Sequence, residues 1–153
     1  KNYRILDLLV AYFFLFSTSE IFKSLFPFLK SMIHKIAEDY GDILYVIFRV
    51  VIGVLFFMHG WGKIFAAEPA AMFSLFWFAG IIELVVGLTI TIGLFTQWTA
   101  LLGALEMLVA YFYVHMPQGW NPFVNKGELA LLFFAAFLVL FGHGGRKFCI
   151  TKD

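Results

Sequence analysis

The chain has 153 residues, 62% of them hydrophobic and only 14% charged, with a net charge of +1 and a mean hydropathy of +0.90. A soluble domain of this size lacks the interior to hide so much apolar surface, and the charge gives no electrostatic case for nucleic acid. The single cysteine, Cys149, excludes a disulfide framework and a CxxC redox pair within the chain.

The elements follow in chain order. Ile5 to Phe16 is an apolar run interrupted by Asp7, short of the roughly 20 residues an ordinary span needs. Ser17 and Glu20 have the spacing of a capping box. The next segment is amphipathic: Ile21, Phe22, Leu25, Phe26, Leu29, Met32, Ile33 and Ile36 keep helical spacing, and Lys23, Lys30, His34, Lys35 and Glu38 fill the other face. Pro27 is expected to kink this helix. The segment, residues 1–40, reads as an N-terminal interfacial extension with its lysines toward headgroups.

Four apolar stretches come next: Ile43 to Phe65, Met72 to Phe95, Trp98 to Met116, and Glu128 to Gly142. They predict an all-α membrane protein, a four-helix transmembrane bundle over 41–146 followed by a short tail, 147–153. Glu68 and Pro69 end the first span, Gly93 to Gln97 is a tight turn, and Pro117 to Lys126 is a loop rich in turn formers. Gly80 and Gly87 lie seven residues apart, with Glu83 between them on nearly the same face. Small residues of this kind let membrane helices approach closely.

Basic residues cluster before the first span (Lys1, Arg4, Lys23, Lys30, Lys35) and after the fourth (Arg146, Lys147, Lys152). Positive-inside logic then expects a multi-pass protein of the cell membrane with both termini cytoplasmic.

A charge at the bilayer centre costs on the order of 3 kcal/mol, so every intramembrane ionisable group needs an account. Arg49 belongs to the inner part of the first span. His59 lies about 15 Å further out, and Lys63 about 6 Å beyond that. His59 and Lys63, four residues apart, share a helix face. His115 and Glu128 belong to the outer ends of the third and fourth spans. The outer half is therefore expected to gather His59, Lys63, His115 and Glu128. Glu83 and Glu106 sit in the core, expected to face inward as protonated acids that donate hydrogen bonds between helices. Two readings stand. In one, these groups are structural pairs. In the other, they line a polar pocket where His59, Lys63 and Glu128 act on a ligand and Arg49, Glu83, Glu106 and His115 help to bind it. No metal set is indicated.

Several of these residues together resemble the DoxX family: Arg49 followed by His59-Gly60-Trp61-Gly62-Lys63; Gly80-Ile81-Ile82-Glu83 with Gly87 and Gly93-Leu94-Phe95-Thr96; Glu106; His115-Met116-Pro117; and Asn125-Lys126-Gly127-Glu128. The similarity covers about Val46 to Gly144. It departs at Gln97, where the family often has a basic residue, and at Gly142-His143-Gly144-Gly145-Arg146. The resemblance implies a prokaryotic four-helix membrane subunit. Some relatives are the membrane part of thiosulfate:quinone oxidoreductase, and others associate with oxidative-stress complexes. The expectation that follows is a quinone-linked oxidoreductase subunit in membrane lipid. Quinone would be its ligand, and a second redox subunit or soluble donor would supply electrons, with homo-oligomerisation open. The alternative is a non-enzymatic scaffold whose polar network is structural and whose amphipathic segment docks a partner.

The topology is directly testable. Asn121→Cys and Lys152→Cys, each in a Cys149-free background, should react with an impermeant thiol reagent from opposite sides of the membrane. Labelling of both from outside would refute the two-cytoplasmic-termini arrangement.

Overall fold

The computed structural model describes residues 5–10, 13 and 20–151. The expected capping serine, Ser17, lies outside them. Helix α1 runs Glu20–Phe65, α2 Leu75–Ile92, α3 Thr96–Ala110 and α4 Glu128–His143. Among the described residues there is no strand. Three helical stretches are long and apolar enough to cross a membrane: Phe22–Phe65, Leu75–Ile92 and Thr96–Gln118. The shorter apolar helix Glu128–His143 accompanies them. The expected bundle is present. One difference is that the amphipathic segment and the first span form a single 46-residue helix, which passes through Pro27 without interruption.

The chain divides into two units at Gly41 and Asp42. In the first, the helix exposes Leu25, Phe26, Phe28, Met32, Ile33 and Ile36. His34 and Glu38 pair across one turn at 3.2 Å, a contact worth little at such exposure.

The second unit is the bundle. Its core is Phe56 from α1, Val86 and Ile90 from α2, Ala100, Ala104 and Met107 from α3, and Phe133, Phe137 and Leu140 from α4. Phe56 meets Phe137 edge-on at 4.7 Å and Phe133 at 5.2 Å. Gly103 opens space for the Phe137 ring, which a Cβ there would meet at 2.8 Å. Outward positions are large and apolar, among them Val54, Leu55, Val85, Leu88, Leu105 and Leu132. This is the composition of a lipid-facing surface.

Two local devices set where α2 starts and stops. Ser74 caps its N-terminus, accepting from the Trp77 amide at 3.2 Å. At the other end Gly93 takes φ +72°, its amide bonds to Ile90 O and that of Leu94 bonds to Thr89 O. This is a Schellman closure, which needs a residue without a Cβ penalty.

Helices α1 and α2 approach backbone to backbone. A Cβ on Gly53 would lie 2.8 Å from Gly87 O, and one on Gly87 would lie 2.7 Å from Gly53 O. A Cβ on Gly60 would lie 2.6 Å from Gly80 O. Two glycines seven apart on each helix therefore meet in antiparallel register, 53 against 87 and 60 against 80. Such spacing repeats a helix face every two turns.

At one end of the bundle the segment after α4 folds back over the α2–α3 turn. Ile150 and Thr151 amides bond to Gly93 O at 3.0 and 3.2 Å, and Thr151 Oγ1 accepts from the Phe95 amide at 2.6 Å. Tyr45 donates to Gly144 O at 2.7 Å. Asp42 pairs with Lys147 at 2.7 Å and Arg146 at 3.4 Å.

Gly87→Ala should destabilise the bundle by about 1–3 kcal/mol, because its methyl group has only backbone to push against. Gly62→Ala, which meets nothing within 4 Å, should be neutral or stabilising by up to about 1 kcal/mol. Thermal unfolding in detergent checks this contrast, and equal effects would show that the crossing is looser than described.

Candidate functional site

Three elements converge near the end of the bundle that carries the 117–127 loop. α1 contributes His59 and Lys63, and α2 contributes Glu83. Their juxtaposition is a product of the glycine crossing: Gly60 lies against the Glu83 Cβ, and Gly80 against the Lys63 Cβ. With no side chains between the backbones, the Lys63 ammonium reaches Glu83 Oε1 at 2.6 Å. The lysine side chain is 31% exposed and the glutamate 3%.

The third element is the continuation of α3. Its last α-turn widens into a π-turn, Tyr111–His115, followed by a short 3-10 turn, Met116–Gln118. π-turns interrupt helices preferentially at functional positions. Here the wider turn carries His115 to the cavity wall, where its Nδ1 bonds to Asn125 O at 3.0 Å. A carbonyl can only accept, so Nδ1 carries the proton and Nε2 of the neutral ring is an acceptor. Asn125 is itself fixed, donating to Gly119 O at 2.6 Å and accepting from the Gly127 amide at 2.8 Å.

These groups line a cavity of about 310 Å³, with Lys126 and the apolar walls Phe56, Phe76, Met107, Leu129 and Phe133. The His59 ring stands edge-on to Phe133 at 5.5 Å. A second cavity of about 260 Å³ adjoins it through Lys63. Its wall is apolar apart from Lys63, Glu106 and Tyr113.

Of the residues singled out from sequence, His59, Lys63, Glu83 and His115 line one cavity. Glu106 lines the other, and the expectation that it hydrogen-bonds between helices fails: both of its oxygens are buried without a partner. Glu128 lines neither cavity. It is exposed in the first turn of α4, where a carboxylate complements the helix dipole, and the acid opposite Lys63 is Glu83. Arg49 is also away from both cavities. Buried to 1% exposure, it donates to Gly145 O and, at 2.7 Å, to Phe148 O. Its charge is met by carbonyls of the tail, as one of the two sequence readings allowed. Lys126 was passed over as a loop residue. Its only signal was its place in the Asn125-Lys126-Gly127-Glu128 run.

The DoxX family profile matches residues 44–116. An uncharacterized protein of Haemophilus influenzae is 34% identical over 112 residues, covering 66% of this chain and 83% of that protein. No solved structure gives a significant match.

The Lys63–Glu83 pair generates a double-mutant test. Lys63→Met or Glu83→Leu alone strands the other charge and should cost about 3 kcal/mol or more. The double variant should recover most of that loss. Additive losses in detergent unfolding would mean that the two side chains do not act as a pair.

Proposed function

The chain belongs to the DoxX family, and on that premise we propose that it is the membrane subunit of a quinone-linked oxidoreductase system. In this reading a quinone, or a similar lipophilic carbonyl ligand, occupies the cavity around His59, Lys63 and His115. The observation that carries the reading is the meeting of an ammonium and two imidazoles with aromatic walls in one cavity of a membrane bundle. Ligand sites have this character: apolar walls with a few convergent polar groups.

The residues fit such a ligand in a definite way. An ammonium has three donors, and Lys63 commits one to Glu83. The others are available to hold a carbonyl oxygen and to stabilise negative charge developing on it. Glu83, by fixing the lysine, acts as a positioning residue. His59 supplies an imidazole, whose ring nitrogens can donate or accept a hydrogen bond. His115 presents Nε2 on a ring held by Asn125. Phe56 and Phe133 form part of the cavity's aromatic wall. A quinone, when bound, supplies the two-electron chemistry, and the electrons come from a second redox subunit or a soluble donor. Glu128 has no part in this, because its carboxyl lies off the cavity.

The second reading is the scaffold. The Lys63–Glu83 pair at 2.6 Å favours it, since such a pair serves equally as a clasp between α1 and α2.

Decylubiquinone binding to the purified chain, followed by tryptophan quenching, separates the two. His59→Ala leaves the ion pair intact and should weaken binding by about tenfold or more without lowering the melting temperature. His143→Ala, at the opposite end of α4, should have no effect. A folded His59 variant that binds like the parent, or a parent that binds nothing, leaves the scaffold reading in its place.

A further inference from the structure

The cavity beside Glu106 presents a separate chemical problem. It lies against α2 and α3, and Phe78, Leu102, Leu105 and Val109 on its wall are exposed on the lipid-facing side. An apolar recess of this kind suits a hydrocarbon tail, but a tail does nothing for the carboxyl within it. Glu106 Oε1 and Oε2 and Glu83 Oε2 are buried and unpartnered. All three are acceptors. Buried polar groups without partners are costly, and those that persist in a structure need a reason.

Charge counting sharpens the point. Lys63 faces two carboxyls, and Glu106 lies within electrostatic range of both Lys63 and Glu83. The ammonium is already bound to Glu83, so the set is one positive charge short. A proton on Glu106 settles the charge but supplies a single donor to a set of three unpartnered acceptors. What completes the set is a group with several N–H donors and one positive charge, carried on an apolar body that enters from lipid.

We infer that the Glu106 cavity is a binding site for a lipophilic primary amine, held as its ammonium by the Glu106 carboxylate. The amine's hydrocarbon part packs on the α2 and α3 side chains. The charged and titratable groups around Glu106 are Lys63 from α1, Glu83 from α2, and Tyr113 from the π-turn, and His59 lies within range of Glu83. The ammonium takes the place of the proton that otherwise neutralises Glu106, so one proton leaves for each amine bound. This site is separate from the quinone reading in its cavity and in its ligating side chain, Glu106, although Lys63 borders both cavities.

The test is calorimetric titration of phenylbutylamine into the full chain in detergent micelles, in two buffers of different ionisation enthalpy. Phenylbutanol, with the same body and no charge, is the comparison. The amine should bind saturably, release one proton, and bind at least about tenfold tighter than the alcohol. Glu106→Gln, close in shape, should lose both the preference and the proton release. His143→Ala, at the opposite end of α4, should keep them. Equal binding of amine and alcohol to the unmutated chain, or unchanged amine binding to Glu106→Gln, would overturn the proposal. The amine–alcohol comparison needs no variant, so it decides the matter even if the Gln variant fails to fold.

Discussion

The bundle depends on one constraint, the direct backbone approach of α1 and α2 at Gly53–Gly87 and Gly60–Gly80. In lipid, helices gain nothing from hiding apolar surface from each other. Association rests on van der Waals fit and on polar contacts. Four glycines in matched register supply the first over two turns of each helix. They also supply the second, because the register that seats Gly60 and Gly80 brings Lys63 against Glu83. Any larger residue at these positions would part the helices and separate the ammonium from its acid. Helix packing and the composition of the polar cavity thus have one origin.

Much of the fold was legible in the sequence. The four apolar helices, the tight Gly93 turn and the loop after the third helix all follow from composition and from short-range turn chemistry. The His59–Lys63 stripe was legible too, being a property of a single helix. What escaped was anything requiring the rotation of one helix against another. Lys63 could have met Glu83, Glu106 or Glu128, and nothing in the spacing along the chain ranks them. Glu128 was favoured on depth alone. In the structure it faces away, while the glycine crossing sets Glu83 opposite the lysine. His115 reaches the cavity wall through a widened turn that helical periodicity does not anticipate. The acceptors of Arg49 are backbone carbonyls, which carry no residue-type signature at all.

Lys63 is the charged residue in the wall that the two cavities share, beside Phe76, Ala110 and Val114, and this gives the loop end of the bundle an asymmetric character. On one side the ammonium has two imidazoles, a second lysine and the Glu83 carboxyl for company, a setting with both donors and acceptors. On the other it has a lone carboxyl among aliphatic and aromatic side chains, an acceptor-rich setting. The shared wall divides a region of mixed polarity from one that favours donors. Because Glu83 holds the lysine, that division rests on an ion pair whose acid is only 3% exposed.

The Arg49 contact has a consequence for how the protein is made. Its two carbonyl acceptors lie 96 and 99 residues further along the chain. Synthesis runs from N- to C-terminus, so the helix bearing this arginine must enter the membrane long before Gly145 and Phe148 exist. Throughout that interval a guanidinium destined for full burial has to be served by lipid phosphate, by water, or by the insertion machinery. The native partners arrive only once the fourth helix is in place and the tail has folded over the Gly93 turn. The segment after the fourth helix is therefore the one that satisfies the guanidinium of the first span, and the bundle is complete only with that exchange of partners.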